Sequence, residues 1–300
     1  MDRFRLALPW GWVSCLRWEP DGDRNGDLLL LHGGGLDSAE LSWGEIGPAL
    51  AEAGFRVFAP DHPGYGQSPA APWPARQERL VSYVGEVVAA LDLTSYVVGG
   101  LSLGGGMTLG HLLEARPGAP TSTPAGVRGA MLFGAYGIMD RQFTGTLAGA
   151  SHALTWLSLR TGVLGQIMRS SSRSRRLLAL SLGNALRNPA ARTPQLVDTL
   201  LAAVTPGSFD AFEHWQRDQF GALRLRTNYT DQLARIAVPV LMVHGERDAG
   251  VPLAAAHRAA HLLPHADLLV VAGAGHWVQR DRPDVVIPTV REFLRGVDWW

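Results

Sequence analysis

Six short apolar runs, each ending in a glycine-rich or turn-forming segment, constrain this chain more than any other feature. Asp27–Leu31 leads into His32-Gly33-Gly34-Gly35, and Phe55–Ala59 into Pro60-Asp61-His62-Pro63-Gly64. Tyr96–Gly99 leads into Gly100-Leu101-Ser102, and Val127–Phe133 into Gly134-Ala135-Tyr136-Gly137. Val238–Val243 leads into His244-Gly245, and Ala266–Val271 into Ala272-Gly273-Ala274-Gly275-His276. Runs this short and this apolar suit strands buried on both faces. Helical patterns lie between them. Arg76–Leu91 places Leu80, Val84, Val87, Val88 and Leu91 at helical spacing, and Ile46–Ala53, Leu103–Glu114, Ala254–Leu263 and Pro283–Leu294 fill the other gaps. Strand and helix in alternation predict an α/β fold with a mostly parallel central sheet and helices on both faces. Functional groups in such a sheet collect at the carboxyl ends of the strands, where these glycine-rich turns fall.

One stretch breaks the alternation. From about Ile138 to Arg235 the pattern is helical throughout, with helices expected at Leu147–Leu159, Arg175–Leu186, Pro194–Val204 and Phe209–Phe220. The expected organisation is therefore a core of residues 1–137 and 237–300, with residues 138–236 inserted as a helical cap. A length of 300 residues with 46% hydrophobic and 18% charged residues supplies a core of that size. Twenty-seven basic residues, all arginine, balance 27 acidic ones. That balance argues against nucleic acid or an anionic membrane as partner. The single cysteine, Cys15, excludes an internal disulfide and reads as a small buried apolar side chain. The N-terminal apolar run is short and broken by Pro9 and Gly11, unlike a signal peptide, and no stretch reaches the roughly 20 apolar residues of a membrane span. A cytoplasmic location is expected.

The chemistry concentrates in three turns. Gly100-Leu101-Ser102-Leu103-Gly104 is G-x-S-x-G between a strand and a helix. Small residues two before and two after the serine let strand and helix pass closely, so that the hydroxyl stands out on a strained turn. The backbone N–H of Leu103 then points at a developing oxyanion, aided by the helix N-terminus. His32-Gly33-Gly34-Gly35 offers the second donor, with Gly34 the first choice and Gly35 next to it; His32 reads as a prop for the loop. Asp248 in His244-Gly245-Glu246-Arg247-Asp248 and His276 in Gly275-His276-Trp277 follow the next two strands. Ser102, His276 and Asp248 are thus the expected nucleophile, base and orienting acid, with Glu246 and the more distant Asp140 as rivals for the acid.

These motifs together resemble the α/β-hydrolase superfamily. The resemblance rests on LLLLHGGG, the turn Asp61-His62-Pro63-Gly64-Tyr65-Gly66-Gln67-Ser68 (D-x-x-G-x-G-x-S), Gly100–Gly104, Gly245–Asp248 followed by Val251-Pro252, and Gly275-His276. It covers nearly the whole chain outside the inserted helices. It implies a cap after the sixth strand and catalysis without metal or organic cofactor. A serine at the nucleophile position speaks against the haloalkane dehalogenase and epoxide hydrolase branches, which carry aspartate there.

The leading expectation is a carboxylic ester hydrolase for small or medium acyl substrates. The turn His32–Ser38 is also similar to that of hydrolases that cut carbon–carbon bonds in ring-fission products. Trp277, right after the histidine, matches that group; Leu36-Asp37 and Leu103 depart from it. Such a substrate carries a carboxylate and needs an arginine, for which Arg160, Arg217 and Arg224 are available. Lactonase, lipase, thioesterase, amidase and cofactor-free peroxidase activities would use the same three residues. A ligand-binding receptor that kept the fold is the non-enzymatic alternative, to be separated by tight binding without turnover. Gly35, Trp277 and Trp215 are expected substrate contacts, with Trp156, Phe209 and Phe212 as further aromatics for an acyl pocket. His257 and His261, four apart, have no obvious third metal ligand, so no metal is expected. Arg169–Arg176 reads as a solvated basic face or hinge. Trp299 and Trp300 suit either docking on the body or a dimer contact, so the chain is expected as monomer or homodimer.

Overall fold

The computed structural model describes residues 1–114 and 124–299. It opens with a hairpin of β1 (Asp2–Leu8) and β2 (Gly11–Trp18), followed by β3 (Gly26–Leu31), α1 (Ala39–Trp43), α2 (Ile46–Glu52) and β4 (Phe55–Pro60). Next come α3 (Gln77–Ala90), β5 (Tyr96–Leu101), α4 (Leu103–Leu112) and β6 (Val127–Phe133). The helical stretch comprises α5 (Ala148–Arg160), α6 (Val163–Ser172), α7 (Arg175–Ala185), α8 (Pro194–Ala203) and α9 (Asp210–Gln219). The chain returns to the sheet with β7 (Val240–Gly245), α10 (Leu253–Leu262) and β8 (Ala266–Val271), and closes with α11 (Val278–Asp281) and α12 (Pro283–Gly296).

The eight strands form one sheet in the order β1-β2-β4-β3-β5-β6-β7-β8. From β4 to β8 every neighbouring pair is parallel. β1 and β2 run antiparallel at one edge. The consecutive leucines of β3 show why the apolar runs are unbroken. Leu29 and Leu31 pack on one side under α3, α4 and α10; Leu28 and Leu30 pack on the other under α1, α2 and α12. All four are fully buried, each contributing about 1.5–3 kcal/mol of burial free energy.

Several elements lie outside the expected pattern, among them the N-terminal hairpin, the short α1 and α11, and α6. The N-terminal hairpin was not anticipated, because β1 alternates buried and exposed residues as a half-covered edge strand does. Helix α6 was also missed, since Gly165 and the serines of its last turn weaken the helical pattern. The inserted helices rest on both layers. Leu178, Leu182, Leu196, Val197 and Leu200 join the core on the α12 side, while Trp215 joins the core on the α3 side. Trp299 docks on the body, buried against Phe55 with its indole N–H donating to Leu294 O. Trp300 lies outside the described residues.

Candidate active site

Ser102 sits between β5 and α4 with φ 52° and ψ −112°. A non-glycine residue there costs about 1–3 kcal/mol unless its neighbours enforce it. They do so from both sides. Ser102 N–H donates to Phe133 O (2.9 Å), and Ser102 O accepts the N–H groups of Tyr136 (2.9 Å) and Gly106 (3.0 Å). The flanking glycines make the turn sterically possible. A Cβ on Gly104 would collide with the carbonyl oxygens of Leu31 and His32, and one on Gly100 with the backbone of Gly104. Neither obstacle is a flexible side chain. Gly104→Ala is therefore expected to cost about 3 kcal/mol or more and to lower Tm accordingly. A wild-type melting curve for that variant would contradict this packing.

The glycine loop after β3 is held by buried polar groups. His32 Nε2 accepts the N–H of His62 (2.9 Å), which leaves the ring proton on Nδ1 to donate to Gly33 O (2.8 Å). Burial pushes the His32 pKa down to about 3, so the ring stays neutral as a prop. Asp37, at the end of the loop, accepts from Gly33 N–H (2.7 Å), Ser38 N–H (2.7 Å) and Ser42 Oγ (2.7 Å). The N–H groups of Gly34 and Leu103 meet no acceptor among the described residues. They are the two donors expected of an oxyanion site.

Burial raises the Asp37 pKa to about 6 despite those hydrogen bonds. The folded state therefore binds this proton more tightly than the unfolded chain does. Asp37 contributes stability at low pH that declines as pH rises from near 3.8 through about 6. The Tm difference between Asp37→Asn and wild type is expected to move in favour of the variant across that window. A difference independent of pH would contradict the raised carboxyl.

His276 and Asp248 form the other half of the site. His276 Nδ1 lies 2.8 Å from Asp248 Oδ2 and 2.9 Å from Oδ1. Gly250 and Val251 donate backbone N–H groups to Asp248 Oδ1 at 2.7 and 2.9 Å. Gly134 and Gly250 leave room for the pair, since a Cβ on either would press against the His276 ring. Burial alone would lower the His276 pKa, but the charge and hydrogen bond of Asp248, with a smaller contribution from Asp37, outweigh it and raise it. Burial likewise opposes ionisation of Asp248, and His276 reverses this, holding the carboxyl below its ordinary range. The rivals point elsewhere: Glu246 caps Gly273 N–H (2.8 Å), and Asp140 accepts from Asn228 (2.6 Å). The Ser102 hydroxyl makes no hydrogen bond among the described residues, and it faces a cavity of about 300 Å³ that His276 also lines.

Gly34, Gly35 and Trp277 line the same cavity. Met168, Leu178, Leu182, Leu200 and Phe209 close it with apolar surface, and Ser171, Ser172 and Ser181 supply hydroxyls. Trp215, an expected substrate contact, does not line it. Its indole N–H needs a partner when buried and donates to Gln77 Oε1 (2.8 Å), while its ring packs on Tyr136 and Phe212. Trp215 therefore ties α9 to α3. Trp156 packs against the core, and Phe212 fills the space over Gly34. Arg217 is paired with Glu213 and donates to Leu159 O; Arg160 and Arg224 are exposed; none of the three lines the cavity. Cys15 is buried, and burial pushes its thiol pKa up. His257 and His261 belong to no cluster of three metal-ligating side chains among the described residues. A larger groove of about 900 Å³ lies on the other side of Gly35–Asp37, and neither Ser102 nor His276 reaches it.

Three buried groups at this site escaped the sequence reading. Asp37 fixes the glycine loop, as described. His244 Nε2 donates to Val251 O (3.0 Å) and lies 3.5 Å from Asp248 Oδ2, backing the carboxylate. Burial lowers its pKa, so this ring is neutral. Asp281 accepts from Gly275 N–H (2.7 Å), Arg187 N–H (2.8 Å) and Asn188 N–H (2.7 Å), joining the His276 turn to the end of α7.

An eight-stranded, mostly parallel sheet with a serine on a strained strand–helix turn and a buried Asp–His pair defines a fold class. The chain belongs to the alpha/beta hydrolase fold family, whose sequence pattern matches residues 27–283. It is similar to a non-heme chloroperoxidase of Streptomyces lividans, 27% identical over 92% of this chain and 94% of that protein. It is also similar to a 2-hydroxymuconate semialdehyde hydrolase of Pseudomonas putida, 27% identical over 90% of this chain and 87% of that one. Among solved structures, a serine hydrolase of Cycloclasticus zankles superposes with a TM-score of 0.75 at 22% identity, covering 98% of each chain. A meta-cleavage product hydrolase of Pseudomonas fluorescens gives 0.75 at 22%, covering 98% and 97%. At that identity the structural likeness speaks for the fold alone.

Proposed function

We propose that this protein is a serine hydrolase that cleaves uncharged carboxylic esters with a small or medium acyl group. Ser102 attacks the ester carbonyl, and His276 takes its proton and then returns it to the departing alkoxide. Asp248 holds the imidazole with its proton on Nδ1, leaving Nε2 free to act as base. Gly34 and Leu103 N–H groups receive the oxyanion. The alcohol leaves an acyl-enzyme on Ser102, and a water activated by His276 frees the acid. Residues 138–236 act as the cap that supplies the acyl pocket.

The observation that carries this reading is the lining of the 300 Å³ cavity: glycines, apolar side chains and three serines beside Ser102 and His276, with no arginine among them. A substrate carboxylate buried there would lack a cationic partner, at a cost of several kcal/mol. His276 must be neutral to act as base, and among the described residues of the lining the other ionisable side chain is Asp37, whose carboxylate repels an acid further. Two observations favour a second reading, carbon–carbon bond hydrolysis: Trp277 in the cavity wall and the relative that hydrolyses 2-hydroxymuconate semialdehyde. A kinetic comparison separates them. Para-nitrophenyl esters of short and medium acids should turn over with kcat/KM about 10²-fold or more above any ring-fission dienoate. Preference for the dienoate would overturn the ester assignment.

A further inference from the structure

The inserted helices carry an unusual segregation of charge. Residues 141–192 contain eight arginines and no aspartate or glutamate, in a chain whose totals are balanced at 27 and 27. The same span holds eight of the eleven large apolar side chains that stand exposed among the described residues. Six of these eight follow helical spacing on three consecutively packed helices: Leu154 and Leu157 on α5, Val163 and Ile167 on α6, Leu177 and Leu180 on α7. Leu154 is 66% exposed, Ile167 57% and Leu180 64%, too open to be core residues. The inner faces of α6 and α7 are accounted for by the cavity, which Met168, Leu178 and Leu182 line. The outer faces have no such explanation.

Arginines accompany these apolar residues. Arg160 follows Leu157 by three positions; Arg173 and Arg176 precede Leu177 and Leu180 by four. Arg169 and Arg175 are neutralised by Glu213 and Asp198, whereas Arg160, Arg173 and Arg176 are exposed and meet no acidic partner among the described residues. Helices with exposed aliphatic side chains, interspersed arginines and no acids suit an anionic lipid surface: the aliphatic groups enter the acyl boundary while the guanidinium groups bind lipid phosphates. A water-facing role explains the arginines but not the leucines. A second copy of this chain would bring like charges together. No helix among the described residues is long and apolar enough to cross a membrane, so the contact is peripheral.

We propose that the outer face of α5–α7 docks reversibly on anionic lipid. The test is sedimentation of the purified full chain with vesicles of phosphatidylcholine alone or with added phosphatidylglycerol, at low and high salt. The wild type should sediment with the phosphatidylglycerol vesicles at low salt and stay in solution with phosphatidylcholine. Arg173→Gln/Arg176→Gln should weaken binding by about tenfold or more, and high salt should act in the same direction. Leu154→Ser/Leu157→Ser/Ile167→Ser should abolish it, whereas Leu262→Ser on α10, outside the inserted helices, should not change it. The substituted residues are exposed, so unchanged melting curves will show that each variant is folded. No sedimentation of wild type with phosphatidylglycerol, or binding undiminished in the triple variant, would overturn the proposal. So would a wild-type dimer in analytical ultracentrifugation that the triple variant makes monomeric without any vesicle binding; a second copy would then be the occupant.

Discussion

Ser102→Ala is expected to reduce kcat by about 10⁴-fold or more while leaving the fold intact. The reason is local. Ser102 contributes one hydroxyl that makes no hydrogen bond among the described residues, so its removal leaves no buried group unpaired. The backbone clamp from Phe133, Gly106 and Tyr136 does not involve the side chain. A companion substitution adds an outcome specific to the strained turn. With φ at 52°, Ser102→Gly relieves a conformation that glycine adopts freely. It should raise stability by about 1 kcal/mol while losing activity as fully as alanine. Thermal melting and steady-state kinetics on both variants test this. Substantial turnover by Ser102→Ala would remove Ser102 as nucleophile, and a Ser102→Gly protein less stable than Ser102→Ala would contradict the strain.

The second large effect is that of Asp248→Asn. Its Oδ1 is committed to the Gly250 and Val251 N–H groups. An asparagine keeps its oxygen there and turns its NH₂ toward His276 Nδ1. That nitrogen must then accept, which moves the ring proton to Nε2 and leaves no base for Ser102. A loss of about 10⁴-fold in kcat is expected. The residual activity should have a displaced pH profile. The proposed reaction needs neutral His276, whose pKa Asp248 raises above the ordinary 6.5, so the wild-type acid limb is expected above that value. Without the carboxylate, burial dominates and the limb moves below it. The same linkage governs stability. The raised His276 contributes stability below its unfolded pKa that is lost as pH rises through the folded one; the depressed Asp248 contributes stability above 3.8 that is lost as pH falls. The variant should therefore lose most Tm between those limits. Unshifted kinetics with near-normal turnover would send the acid role elsewhere.

The parts of this protein legible in its sequence are those set by local pattern. Runs such as Leu28–Leu31 read as strands because both faces are covered, and Ser102, Asp248 and His276 stand out because glycines mark the turns that hold them. The unread parts depend on partners distant in sequence. Asp281 acts through N–H groups 6 to 94 positions away, and nothing around it signals a buried acceptor. Trp215 was expected at the substrate because an aromatic on an amphipathic helix suits a pocket wall, but its N–H is satisfied by Gln77, 138 positions away. Net charge also concealed something. A total of zero argued against an anionic membrane as partner, yet the acid-free stretch from Arg141 to Arg192 concentrates positive charge on the inserted helices.

Intact-mass analysis after incubation with a fluorophosphonate, on wild type and Ser102→Ala, decides whether Ser102 is an activated nucleophile. A single phosphonyl adduct on the wild type that is absent from the variant is the predicted result. Folded wild-type protein that stays unlabelled, or labelling that survives in Ser102→Ala, would contradict it.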